Sequence, residues 1–174
     1  MTSMHLLYLI ARGLHVLFGA LWVGSVFFVV YFLSPSMAEA GPDAAKVMGG
    51  LLKRRFLDII PMIAFSNIGI GLWLYWRLTG GWDPSLRGTN AAMVFGTGGL
   101  LALITITIGM LGMRRNTLRA IAKMREATSM ADGPDKAQAM QTAQRFRARA
   151  GKAGRVAAVL LMVTIVLMAL GHYV

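Results

Sequence analysis

The chain contains no cysteine, which excludes disulfides and thiolate metal sites. Acid is scarce, with 7 Asp and Glu against 18 Lys and Arg. Charged residues of both signs make up only 14%, against roughly 25% in soluble domains. Catalytic signatures are missing as well: there is no His-Glu-x-x-His, no Ser-His-Asp arrangement and no acidic pair placed for hydrolysis. The glycine run Gly96-Thr97-Gly98-Gly99 lies inside apolar sequence and follows no strand, so it is not a nucleotide loop. Neither an internal repeat nor a low-complexity tract is visible.

What is there is apolar: 56% of the 174 residues are hydrophobic, which points to a membrane protein built as one unit. A bilayer core needs about 20 apolar residues per helix. Four segments qualify, at about residues 6–33, 56–77, 91–113 and 156–174. Ser34-Pro35 is expected to end the first, because proline disfavours helix in the residue before it. Thr89-Asn90 is a cap signal for the third. Ala38-Glu39-Ala40 resembles a cleavage box. The apolar run before it is too long for a signal peptide and no basic residue stands beside Met1, so residues 1–33 are expected to be retained.

Charge sets the orientation. Lys46, Lys53, Arg54 and Arg55 lie between spans one and two. Arg114, Arg115, Arg119, Lys123, Arg125, Lys136, Arg145, Arg147, Arg149, Lys152 and Arg155 lie between spans three and four. Only Arg12, Arg77 and Arg87 fall on the other side. The positive-inside rule places both basic loops in the cytoplasm and both termini in the periplasm of a bacterial inner membrane. The formal charge of +11 then belongs to topology and anionic headgroups, and no nucleic-acid partner is invoked.

Residues 114–155 read as a helical hairpin. Few breakers interrupt 114–131, Asp132-Gly133-Pro134-Asp135 makes a turn, and Pro134 suits the first helical position. Met140, Ala143, Phe146 and Ala150 then recur at helical spacing. The hairpin should project about 27 Å, at about 1.5 Å per residue. Its charges suit phospholipid headgroups; a docking arm for a protein partner, or for a second copy of the chain, is the alternative. In the first basic loop, Gly41-Pro42 starts a short helix that Gly49-Gly50 weakens, and Lys53-Arg54-Arg55 anchors span two. Trp73, Trp76, Trp82 and Tyr173 suit an outer aromatic belt; Trp22 does not. The expected fold is all-α: a single membrane domain over 1–174, a polytopic four-helix bundle whose spans three and four extend into a cytoplasmic hairpin.

Ionisable groups beside lipid mark candidate sites. Counting back about 20 residues from Leu33 puts His15 at the outer boundary of span one. Span four is just long enough to put His172 at a similar depth. Spans one and four of such a bundle are often neighbours, so His15 and His172 are candidate ligands for a haem iron or a copper ion. The plainer alternative is a histidine bonded to a backbone carbonyl and a terminal one that snorkels. His5 is expected outside the membrane. Met4, Met93 and Met168 suggest Cu(I), but methionine is also a common gap filler. In span two, Arg54 and Asp58 are spaced to pair along one face, Pro61 should kink the helix, and Asn67 should bond to another helix. Thr105, Thr107, Gly109 and Gly112 continue the small-residue character of span three and let helix backbones approach closely.

Three stretches carry a family resemblance. "LHVLFGALWVG" followed by "YFLSPSM", then "KRRFLDIIPMIAF", and "VLMALGHYV" at the end resemble spans one, two and four of CopD-like and HemJ-like membrane proteins. The resemblance implies a four-helix membrane bundle. From HemJ-like proteins it implies a haem b ligand at His15, a functional arginine at Arg55 or Arg54, and protoporphyrinogen oxidation. That family's lysine ligand on span three has no counterpart, because residues 91–113 contain neither lysine nor histidine; the second ligand would fall to His172. CopD-like proteins imply copper handling. The expected function is b-type haem or copper binding near the periplasmic face, for electron transfer or metal handling. A non-catalytic accessory or assembly subunit of a larger membrane complex is the rival, and a HemJ-like oxidase the third possibility.

Overall fold

A computed structural model describes residues 3–174. The elements are helical throughout this region: α1 (Ser3–Phe28), α2 (Ser34–Glu39), α3 (Ala44–Lys53), α4 (Phe56–Leu78), α5 (Pro84–Arg87), α6 (Asn90–Thr107), α7 (Arg115–Thr128) and α8 (Pro134–Leu170). A π-helical turn, Val29–Leu33, joins α1 to α2, and another, Ile108–Arg114, joins α6 to α7. Four continuous helices are long and apolar enough to cross a membrane: Ser3–Glu39, Phe56–Leu78, Asn90–Thr128 and Pro134–Leu170.

The helices close into a ring. Helix α1 packs on α4, α4 on α6, α6 on α8, and α8 back on α1. The shared core is Trp22, Val26, Ala64, Ala102, Ile106, Ala157, Ala158 and Leu161. Half of these are alanine, because lipid supplies no hydrophobic force between helices and small residues gain contact by close approach. The large apolar side chains face outward instead; Val16, Met62 and Leu100 are all more than half exposed. Thr105 and Thr164 are buried, and their hydroxyls donate to their own helix at Leu101 O (2.7 Å) and Leu160 O (2.8 Å).

Ser34-Pro35 does not end the first span. The Val29–Leu33 turn is wound as a π-helix, with the Ser34 amide bonded to Val29 O. The wider turn gives the proline ring room against the preceding turn. The Ser36 hydroxyl donates to Phe32 O at 2.8 Å. Helix then continues to Glu39.

The Arg54–Asp58 pair does not form either. Arg55 adopts a left-handed conformation (φ 56°, ψ 29°), which breaks the path between α3 and α4. Arg54 therefore belongs to the end of α3, where its guanidinium donates to Gly50 O at 3.3 Å. Asp58 pairs across the bundle with Arg114, at 2.7 Å. Pro61 explains the rest of that contact. It has no N–H, so it cannot bond the carbonyl four residues back, which is Leu57. Arg114 Nε donates to that carbonyl at 3.1 Å.

The hairpin of α7 and α8 is present, with Gly133 before the helix and Pro134 in its first turn. Its buried seam is Ala127, Ala139, Ala143 and Ala150, whereas Met140 is exposed. Phe146 lies half-buried beneath the Arg119 and Arg149 guanidiniums, whose central carbons are 5.6 and 6.0 Å from the ring centroid. Thr89 caps α6 as expected, accepting from the Ala92 amide at 3.3 Å.

Two glycines seat the hairpin stem on the π-turns. A Cβ on Gly112 would stand 2.7 Å from Ala153 Cβ, and one on Gly154 would stand 3.0 Å from Val30 Cγ2. Gly69, on the exposed face of α4, has nothing within 4 Å. Gly112→Ala is therefore expected to cost about 1–3 kcal/mol of overpacking. Gly69→Ala should be neutral or gain up to about 1 kcal/mol of helix propensity. Thermal melts of the two variants in one detergent check this, and equal melting temperatures would refute the close approach.

Candidate functional site

The end of the bundle away from the hairpin holds a cavity of about 890 Å³ between all four spans. Its size lies in the range of small-molecule and cofactor sites, roughly 300–1,000 Å³. Its walls are mainly apolar, and its polar groups come from few positions: Tyr8, Arg12 and His15 on α1, Asn67 and Tyr75 on α4, Thr164 on α8, and His172 just beyond α8.

His15 is anchored from α4. Its Nδ1 lies 3.0 Å from the Asn67 backbone carbonyl. A carbonyl only accepts, so Nδ1 carries the proton and Nε2 of the neutral ring keeps its lone pair. Gly71 makes the approach possible. A Cβ there would stand 2.7 Å from His15 Cε1. Glycine leaves the side of the Asn67 carbonyl open, one helical turn away. An imidazole donating Nδ1–H to a carbonyl is the arrangement that orients a metal-binding histidine.

The Asn67 side chain is the second feature. It is only 7% exposed, and its Oδ1 has no hydrogen-bond partner. It sits against Gly19 of α1, where a Cβ would lie 3.6 Å from Nδ2. Sequence reasoning expected Asn67 to bond another helix. The bond exists, but through its main-chain oxygen.

His172 lines the same cavity from the short segment that follows α8. Its Nε2 lies 2.9 Å from an Arg12 guanidinium nitrogen. Guanidinium has no acceptor, so Nε2 accepts and its lone pair is engaged. The ring edge meets Phe95 at 5.0 Å between centroids. The two histidines thus share one cavity, but only His15 presents an uncommitted lone pair in this arrangement.

Over the cavity, Trp82 holds a positive φ of 74°. Its ring lies against Tyr75, 5.7 Å between centroids. Such backbone strain in a non-glycine residue is often kept at ligand sites. Gly96 receives the Tyr75 hydroxyl, which a Cβ would meet at 2.9 Å.

Arg54 and Arg55 do not line the cavity. They precede α4, about 16 Å of helix below Asn67 at about 1.5 Å per residue. The arginine that does line it is Arg12, which sequence reasoning used only for topology. The signal was available: Arg12 stands three residues before His15, one helical turn away. Of the methionines proposed for copper, Met168 lines the cavity and Met4 and Met93 do not; His5 also lies outside it. Among the described residues, no three His, Asp or Glu side chains gather as a metal site.

No family model, curated protein or solved structure matches the chain.

Gly71→Ala is expected to push the His15 ring off the Asn67 carbonyl. Nitrogen-15 NMR of the imidazole reads this directly. The wild type should show a protonated Nδ1 and a bare Nε2, and the variant a mixture of tautomers. An unchanged tautomer in Gly71→Ala would remove the argument for a pre-oriented His15.

Proposed function

We propose that this chain is a bacterial inner-membrane protein that holds a b-type haem in the cavity, with His15 as the residue that would bind its iron, for electron transfer or metal handling. The observation that carries the reading is the His15 Nδ1 contact to Asn67 O at 3.0 Å, which leaves Nε2 unbonded on a residue that lines the cavity. A porphyrin brings four nitrogen ligands of its own and asks the protein for one or two. A bare copper ion asks for several soft or imidazole ligands at once. One well-oriented imidazole in a large apolar cavity suits the first demand better.

The residues fit that group in part. His15 supplies an oriented lone pair. The apolar walls exclude water and lower the local dielectric, which tunes a bound redox centre. His172 becomes a second ligand only if Arg12 releases its Nε2. The haem, when bound, supplies one-electron chemistry. The chain's own contribution is to bind it, orient it and keep it dry.

The basic loops support an orientation with the cavity at the periplasmic side and the hairpin in the cytoplasm. The hairpin sorts its charge. Residues 114–125 and 145–155 carry ten Lys and Arg and no acid, while Glu126, Asp132 and Asp135 cluster at the turn. Lys123 pairs with Glu126 and Lys136 with Asp132. A basic stem beneath a balanced tip suits anionic headgroups at the membrane surface. The same tip, projecting beyond the lipid, supports a second reading, an accessory subunit that docks a larger complex.

The absorption spectrum of gently purified protein tests the first reading. A Soret band is expected in wild type and should be lost in His15→Ala. In His172→Ala the band should persist. A colourless wild type that also fails to take up added haemin would reject the haem. The orientation is checked separately: an alkaline phosphatase fusion after Val174 should be active, and an inactive fusion would invert the topology.

A further inference from the structure

Arg12 is a cation without an anion. None of the four ion pairs among the described residues includes it. Two carboxylates lie on this side of the bundle, the Val174 terminus, which belongs to the cavity lining and forms no ion pair with Arg12, and the side chain of Asp83. Asp83 caps the start of α5, its Oδ1 accepting from the Ser85 amide at 2.9 Å and the Ser85 hydroxyl at 2.7 Å. Those two hydrogen bonds hold the Asp83 carboxyl below the ordinary carboxylate range. Among the described residues, the one side-chain partner of Arg12 is an uncharged acceptor, His172 Nε2. Guanidinium offers five N–H donors in a planar fork that matches an oxyanion, so a single imidazole leaves most of that capacity unused.

The imidazole is also held lightly. His172 follows the last helical residue of α8, Leu170. Its side chain is kept in place by Arg12 and by the edge of Phe95. The cavity thus has a fixed polarity: a cation at its rim and mainly apolar walls behind it.

We propose that Arg12 anchors the oxyanion end of an amphiphilic ligand, which takes the guanidinium from His172 and lays its apolar body in the cavity. The exchange has a consequence for the imidazole: once Arg12 has turned to the oxyanion, the lone pair on His172 Nε2 is released. The oxyanion is a carboxylate, as on a haem or a fatty acid, or the phosphate of a lipid. The inference rests on the cavity being a ligand site, as in the reading above, and does not need iron.

The test uses full-length protein in phosphatidylcholine nanodiscs, titrated with haemin and with haemin dimethyl ester, which has no free carboxylate. Arg12→Gln should weaken haemin by about tenfold or more, the scale of a lost charge-assisted bond, and leave the ester unchanged. Arg12→Lys should restore part of the affinity. Equal haemin binding by wild type and Arg12→Gln overturns the anchor. If wild type binds no haemin, the haem reading has failed and the anchor is judged alone. Native mass spectrometry then follows oleate, oleyl alcohol and phosphatidylglycerol. Oleate retained by wild type and lost in Arg12→Gln, with oleyl alcohol indifferent, supports a carboxylate ligand. Phosphatidylglycerol alone behaving this way supports a lipid phosphate. Retention that is the same in wild type and Arg12→Gln for every anionic probe overturns the proposal. The His15 tautomer, read by NMR in Arg12→Gln, shows that the variant keeps the fold.

Discussion

Backbone-to-backbone proximity is the constraint on which this bundle rests. Inside lipid there is no water to expel, so helices hold together only where their surfaces can come very close. Glycine and alanine supply that closeness at three levels of the molecule. Gly112 and Gly154 seat the π-turns against α8 near the hairpin. Ala64, Ala157 and Ala158 fill the middle, each almost wholly buried. Gly71 and Gly96 admit the His15 and Tyr75 side chains at the far end. At the first two levels a missing or minimal side chain lets helices touch. At the third the missing Cβ lets side chains that line the cavity reach across, so helix packing and cavity lining use one device.

The same economy governs the polar groups. A carbonyl freed inside a membrane helix needs a donor. Pro61 frees Leu57 O, and Arg114 takes it together with the Asp58 carboxylate. His15 spends one nitrogen on Asn67 O and keeps the other. Arg12 gives one donor to His172 and has several left. These remaining capacities belong to residues that line one cavity. The Arg114 contact is complete and structural. The groups around the cavity are incomplete, which is the physical basis for reading the cavity as a site.

Much of the fold was legible in the chain. Four apolar runs marked four long helices, Thr89 marked a helix start, and Gly133-Pro134 marked the turn of the hairpin. Depth counting from Leu33 brought His15 and His172 to one layer, and they line one cavity. Local rules failed where a non-local partner or an unusual backbone intervened. Pro35 is absorbed by a π-turn, which has no sequence signature comparable to a cap. Arg54 and Asp58 are spaced to pair, but the left-handed Arg55 separates them. The hairpin seam runs through Ala139 rather than Met140, because alanine permits the closer approach.

What the sequence determined by itself is the number of spans, their approximate ends and the sorting of charge. These depend on composition and on distance along the chain, which any window of residues contains. What only the tertiary structure decided is rotation and partnership: which face of each helix turns inward, that Arg114 rather than Arg54 meets Asp58, that His15 bonds Asn67 O, and that Arg12 holds His172. Helix rotation is set by the fit of one surface against another. That fit is a property of pairs of helices distant in sequence, so no single segment encodes it.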